Sequence, residues 1–384
     1  MTLTRRTATL GLLASGLAAC SSRADRFAQA PVRVAEESLP TAPNAGWDAW
    51  VASYKGRAAS RGIDRSIIDR AFAGAGYIPG VIERDRRQTE FTRSLEDYLS
   101  IAASPTRVTT GTAKLAQLAP TMDAIEARYG VEKRVFTAIW GMESQYGDRR
   151  GAIPVISATS TLAYDGRRGD FFEQQLTAAL RILQNGDVAP ENMTGSWAGA
   201  MGHTQFIPTS YLQSAVDFTG DGRRDIWSDD PTDGLASAAA YLRDAGWTRG
   251  LPWGAEVGTA AAAGVSGRSV TPDAGGPSFV VTRNFDVIKR YNNSDNYAIG
   301  VGHLSDRITG GPPIQAVFPP DRFGLTKDDR VALQSRLTAA GFDTQGADGV
   351  IGNNTGAAIR AYQSANGLAV TGEPSRALLA ALGG

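Results

Sequence analysis

The chain has 384 residues, enough for two or three domains and a substantial core. Hydrophobic residues make up 42% and charged residues 20%, while Lys+Arg and Asp+Glu balance at 39 each, so no overall field draws the chain to nucleic acid or an anionic membrane. One cysteine and two histidines, His203 and His303, are too few for a Cys/His zinc centre, and no G-x-S-x-G elbow, Walker loop or G-x-G-x-x-G fingerprint occurs. Carboxylate chemistry remains.

In chain order, residues 1–20 read "MTLTRRTATLGLLASGLAAC". Arg5 and Arg6 form a positive start, and the apolar stretch from Ala8 to Ala19 is shorter than the ~20 residues that span a bilayer. This predicts a cleaved leader. "LAAC" resembles a bacterial lipobox, which implies that Cys20 becomes the lipidated first residue of an exported protein; the alternative is an ordinary secretory signal with Cys20 incidental. The arginine pair also permits a twin-arginine route. Ser21 and Ser22, standing where an acid would otherwise follow, direct the anchor by the same resemblance towards the outer membrane, facing the periplasm.

Residues 21–45 are rich in Ala, Pro, Ser and charge and predict a flexible tether. Residues 46–309 alternate helical patterns with Gly/Pro/Asn/Asp loops. Helices are predicted in "WDAWVASYKGRAASRG", "SIIDRAFAGA", "TMDAIEARYG", "KRVFTAIWGMESQY", "FFEQQLTAALRILQNG" and "DGLASAAAYLRDAG", and one strand in "PSFVVTRNF". Two proline pairs in residues 310–325 mark a linker. Residues 326–384 form a compact unit of three predicted helices. The fold class expected is mainly α with a minor β element.

The segment "AIWGMESQYG" places Glu143 in an apolar, aromatic run. Val135, Ile139, Met142 and Tyr146 recur at helical spacing, and Phe136, Trp140 and Glu143 form an adjoining stripe. A carboxylate beside aromatic rings is desolvated, which raises its pKa and suits a general acid. On this pattern alone a partly exposed structural glutamate is an equal reading.

Together with "GSWAGAMGHTQFIPTSY" (195–211), "DFTGDGRRDIW" (217–227) and "RYNNSDNYAIGVGHL" (290–304), this segment resembles the lytic murein transglycosylase family, in its membrane-bound type B branch. The resemblance implies a lysozyme-like helical catalytic domain that cleaves the bond between N-acetylmuramic acid and N-acetylglucosamine. It implies Glu143 as the single catalytic acid, with Ser196, Gln205 and Asn292 holding N-acetyl and hydroxyl groups. Tyr146, Tyr291 and Tyr297 either line the sugar cleft or pack in the core. His203 stands where type B relatives carry a tyrosine, so no catalytic role is expected of it. Ordinary glycosidases use two carboxylates; the family scheme uses one, first as acid and then as base towards the muramic C6 hydroxyl, leaving a 1,6-anhydro ring. A water-using muramidase and an inactive wall-binding scaffold are the alternatives.

"DFTGDGRRDIWS" nearly fits an EF-hand loop. Asp217, Thr219 and Asp221 fall at positions 1, 3 and 5, Gly222 at the sharp turn, and the Arg223 carbonyl is the fourth ligand. Position 12 is Ser228 instead of a bidentate Glu, and Asp233 resembles the acid with which type B relatives complete the site. A structural calcium ion is expected here, an Asp/Gly turn without metal being the alternative; no catalytic cofactor is expected.

Residues 333–372 closely resemble the peptidoglycan-binding domain 1 family, through L-Q-x-x-L, a D-G-x-x-G turn and A-I-x-x-[FY]-Q. Leu333, Leu337, Ile359 and Tyr362 are expected in its core, with Asp348, Gly349 and Gln363 near its groove. The partners implied are glycan strands and, through Cys20, a membrane; no nucleic acid and a monomeric state are expected.

Overall fold

A computed structural model describes residues 39–86 and 94–383 of the chain. The leader, Cys20 and the first part of the expected tether lie outside the described residues. The helices are α1 (Ala45–Ser60), α2 (Arg65–Ala73), α3 (Pro79–Arg86), α4 (Leu95–Ala102), α5 (Pro105–Gln117), α6 (Ala119–Tyr129) and α7 (Lys133–Ser144). After strand β1 (Ile153–Pro154) come α8 (Val155–Asp165) and α9 (Gly169–Asn185), then strand β2 (Thr194–Gly195), α10 (Pro208–Ser214) and α11 (Thr232–Asp244). Strands β3 (Gly254–Glu256), β4 (Arg268–Val270) and β5 (Phe279–Val281) precede α12 (Arg283–Tyr291) and α13 (Asp295–Arg307). The last 60 residues supply α14 (Lys327–Ala339), α15 (Asn353–Ala365) and α16 (Arg376–Ala381).

The body is thus mainly helical with two small antiparallel sheets, β1–β2 and β3–β5–β4, as the sequence predicts. Helix α7 runs through its middle. Val135 through Gly141 are all buried, and they pack with α13, α11 and α5 around a core that includes Phe136, Trp140, Ile299 and Leu304. A helix buried on nearly every side has tertiary packing, and not propensity, as its main support. A second core joins α1, α2 and α9 through Tyr54, Leu176 and Leu180.

Helix α7 stops sooner than the apolar spacing predicts. Gln145, Tyr146 and Gly147 all take left-handed φ values of 51°, 59° and 92°. Tyr146 therefore leaves the helical face and folds back beneath it. Its ring lies so close to Gly141 that a Cβ there would sit 2.5 Å from the ring carbon Cζ.

The expected tether ends earlier than residue 45. Leu39 packs against the cluster of Ile78 and Val81, and the Ala42 amide donates to the Tyr77 carbonyl at 2.8 Å. In the Pro-rich segment, Gln315 and Ala316 donate their backbone N–H groups to the Glu256 carboxylate. No described helix is long and apolar enough to cross a membrane.

Helices α14–α16 enclose Leu325, Leu333, Leu337 and Ile359, with Tyr362 packed at the edge. Gln334 and Gln363 fold inward: Gln334 Oε1 accepts from the Gly349 amide, and Gln363 Oε1 from the Thr371 and Gly372 amides. The unit is seated on α4. Arg330, 1% exposed, donates to Glu96 at 2.7 Å and Asp97 at 2.9 Å, while Lys327 Nζ reaches Ser100 Oγ at 2.8 Å.

Candidate active site

The C-terminal end of α7 places Glu143 beside Tyr297 of α13 and Tyr291 of α12, whose hydroxyl in turn reaches the loop from 195 to 206. Glu143 is half-buried, but its carboxyl sits deep among protein atoms. The Tyr297 hydroxyl, from the first turn of α13, donates to Glu143 Oε1 at 2.6 Å. Burial pushes the carboxyl up from 4.5 to about 7, and the Tyr297 hydrogen bond opposes that rise. No second carboxylate contributes among the described residues. Burial and the nearby carboxylate in turn hold the Tyr291 and Tyr297 phenols well above the usual tyrosine range, so both are donors at any ordinary pH.

The 195–206 segment is a tight double turn. Ser196 N donates to Ala200 O at 2.7 Å and Ser196 Oγ accepts from Ala200 N at 3.1 Å. Met201 bridges both Gly195 and Phe206. Gly202, with φ 69°, lies against the Ile226 carbonyl, where a Cβ would be 2.3 Å from the oxygen. Gln205 has φ 52°, a conformation held by its own side chain: Nε2 donates to Arg150 O at 3.0 Å and Gly202 O at 2.9 Å. Both amide protons are thereby occupied, leaving Oε1 as the atom available to a ligand.

The Tyr291 hydroxyl donates to Thr204 O at 2.7 Å and its ring packs on Phe206 and Tyr241. Asn292 follows it as the exposed C-cap of α12. Of the three tyrosines read as lining or core, Tyr297 touches the acid and Tyr291 stands beside it. Tyr146 is 4% exposed, edge-on to Trp140, with its hydroxyl donating to Arg107 O at 2.9 Å. The left-handed turn after Ser144 takes it away from Glu143 and under α7.

Ser144, Trp140, His203 and Arg150, none of them among the expected site residues, tie the site together. Ser144 Oγ donates to His203 O at 2.6 Å and accepts from Gly147 N at 3.1 Å. Trp140 Nε1 donates to His203 Nδ1 at 3.1 Å. An indole nitrogen can only donate, so Nδ1 accepts and Nε2 carries the imidazole proton, which goes to Ser228 O at 2.9 Å. Burial drives the His203 pKa down to about 4, keeping the ring neutral. Arg150 packs at the same carbonyl and pairs with Asp229 at 2.8 Å.

In the Asp-rich loop the carboxylates take up backbone amides. Asp217 accepts from the Gly220 and Gly222 amides, and Asp233 from those of Phe218, Thr219 and Asp225. Asp221 accepts from the Arg223 amide and pairs with its guanidinium. Asp233 is 2% exposed, with burial and the Asp217 charge both raising its pKa. Hard oxygen donors crowded with like charge suit calcium. Among the described residues no three acidic side chains converge as a metal cage, so the Thr219 hydroxyl and Arg223 carbonyl would have to complete the set.

A mainly helical body, one desolvated glutamate and a glycine-rich turn beside it are the features by which the chain can be compared with known proteins. The Transglycosylase SLT domain model matches residues 46–271 and 261–306, and the chain belongs to that family. The Putative peptidoglycan binding domain model matches residues 326–382. Membrane-bound lytic murein transglycosylase B of Escherichia coli is 32% identical over 210 residues; the match covers 47% of this chain and 58% of that relative's length. Among solved structures, SltB3 from Pseudomonas aeruginosa, in complex with NAG-NAM-pentapeptide, is 43% identical with a TM-score of 0.69, covering 88% of this chain and all of the other. The Escherichia coli lytic transglycosylase SLT35, in complex with calcium, is 26% identical with a TM-score of 0.58, covering 70% of this chain and 94% of the other.

Proposed function

We propose that this chain is a lytic transglycosylase that cleaves the β-1,4 bond between N-acetylmuramic acid and N-acetylglucosamine in peptidoglycan and leaves 1,6-anhydro ends. The observation that carries this reading is Glu143, lifted to about 7, with the Tyr297 phenol as its hydrogen-bond partner and no second carboxylate beside it among the described residues. A group with that pKa serves equally as acid and base near neutral pH. Because Tyr297 donates to Oε1, the carboxyl proton sits on Oε2, which gives it to the glycosidic oxygen as the bond breaks. Tyr297 then steadies the carboxylate. The same Oε2 takes the proton of the muramic C6 hydroxyl as that oxygen attacks C1 and closes the anhydro ring. No water enters and no second carboxylate is needed.

Ser196, Gln205 Oε1 and Asn292 are the proposed contacts to the sugars, with Tyr291 and Tyr297 forming the wall beside them. Helices α14–α16 hold the polymer. A calcium ion at Asp217, Thr219, Asp221, Arg223 and Asp233 would brace the loop and supply no chemistry. The Cys20 lipid would place the enzyme in the periplasm on the outer membrane.

Mass spectrometry of digested sacculi tests the reaction. Anhydro-muropeptides are expected; reducing ends would make the chain a muramidase, and no soluble product would make it a scaffold. For the loop, calorimetry should register calcium uptake that Asp217→Ala abolishes.

A further inference from the structure

We propose that His203 is a positioning residue for Glu143, a clamp that holds the last turn of α7 against the turn bearing Gln205. This rests on the activity proposed above. The two α7 side chains it grips lie on either side of the acid: Trp140 three residues before, through the ring, and Ser144 one residue after, through the His203 carbonyl. On its other side His203 holds the 217–233 loop, with its amide donating to Ile226 O at 3.1 Å and Nε2 to Ser228 O at 2.9 Å. All four of its polar groups are engaged, two with α7 and two with the 217–233 loop.

The location gives the clamp its leverage. Helix α7 ends one residue past Glu143, where Gln145 turns left-handed, so no further helical turn steadies the acid from the C-terminal side. Ser144 and Trp140 do so from the flank, and both lean on His203. The next two residues of the same turn carry the site's other contacts. Thr204 O receives the Tyr291 hydroxyl, and Gln205 presents its Oε1. A change at His203 therefore moves the acid relative to the sugar contacts.

The slot is also cut to the ring. A Cβ on Gly147 would lie 2.7 Å from His203 Cε1, and one on Gly234 would lie 3.1 Å from His203 Cβ. The imidazole sits between two glycines with an indole donor at one nitrogen and a carbonyl at the other. Phenylalanine fills that slot but satisfies neither partner. Asparagine restores an acceptor for Trp140 alone.

The test uses the full chain on peptidoglycan. His203→Phe and Trp140→Phe are each expected to lower kcat about 10²-fold, the scale of a roughly 1 Å misplacement, while KM stays within about twofold. The double variant should be no worse than the poorer single, because both break one contact. His203→Asn should recover part of the rate. In the parent, the imidazole nitrogens followed by NMR should show the Nε2–H tautomer from pH 5 to 8. Where His203→Phe does not fold, judged by thermal melting, Trp140→Phe and His203→Asn carry the test. Folded variants with parental kcat, multiplying losses in the double variant, or the other tautomer would each overturn the clamp. A parent that releases no product from peptidoglycan would instead sink the activity, and the tautomer would still be read.

Discussion

Glu143 and Asp85 are both carboxylates held away from bulk water, and they end in opposite states. Asp85, 1% exposed on α3, receives Arg167 Nε at 2.5 Å and Arg168 Nη2 at 2.7 Å. The Arg167 hydrogen bond, aided by Arg168, holds it below the ordinary carboxylate range despite burial. Glu143 has a neutral phenol in place of two guanidinium groups, and burial prevails. Burial alone does not keep a carboxyl protonated near neutral pH; burial without a counter-charge does. The stability consequences oppose each other as well. Asp85 stabilises the fold above its unfolded pKa, and that support fades as pH falls through its lower folded value. Glu143 does the reverse: its folded pKa is raised, so the fold loses stability as pH climbs from about 4.5 to about 7.

The substitution that breaks the comparison most completely is Glu143→Gln. Product release should fall by about 10²–10⁴-fold, while stability at pH 8 in urea titrations should rise, by up to about 3 kcal/mol. Next comes Asp85→Asn, expected to cost about 1–2 kcal/mol at pH 7, below the value for a fully buried pair because both arginines are partly in water. Its rate per folded molecule should not change, and the stability gap should shrink in acid. Tyr297→Phe sharpens the comparison from the other side. Losing a charge-assisted hydrogen bond of about 1.5 kcal/mol should move the alkaline limb of the pH–rate profile upward by about one unit. The smallest effect is expected from Lys55→Ala, within about 0.5 kcal/mol by denaturation, since the Lys55–Asp69 pair is open to solvent.

The elements that could be read from sequence were those with a plain period. Helices α1, α2, α6, α9 and α11, strand β5 and the three C-terminal helices follow from spacing and glycine stops. Helix α8 was not predicted because it has no polar face: Val155 through Ala163 are all buried, and its hydroxyls serve the backbone, as when Ser157 and Thr161 accept from the Gly76 and Ile78 amides. For Glu143, the pattern indicated an apolar surround but pointed to Trp140 as the neighbour. The contact that matters is Tyr297, 154 residues on, and Trp140 turns away to His203. Likewise nothing in the local run around Ser144 announces three consecutive left-handed residues; the turn forms because Gly141 and Gly111 leave room for the Tyr146 ring. Periodicity reports which face is dry, and only the assembled chain determines which partner meets it.

The seat of Arg330 has a bearing on how the two halves of the molecule share work. Separating them would return Arg330, Glu96 and Asp97 to water together, so the contact adds little adhesive strength of its own. Its effect is on orientation. A seating that kept Arg330 buried but took it from Glu96 and Asp97 would leave it only Asp321, at 3.4 Å, which is unfavourable. The contact is a key more than a glue. The Pro-rich segment, read from its composition as a linker, joins two parts whose mutual orientation this ion cluster sets.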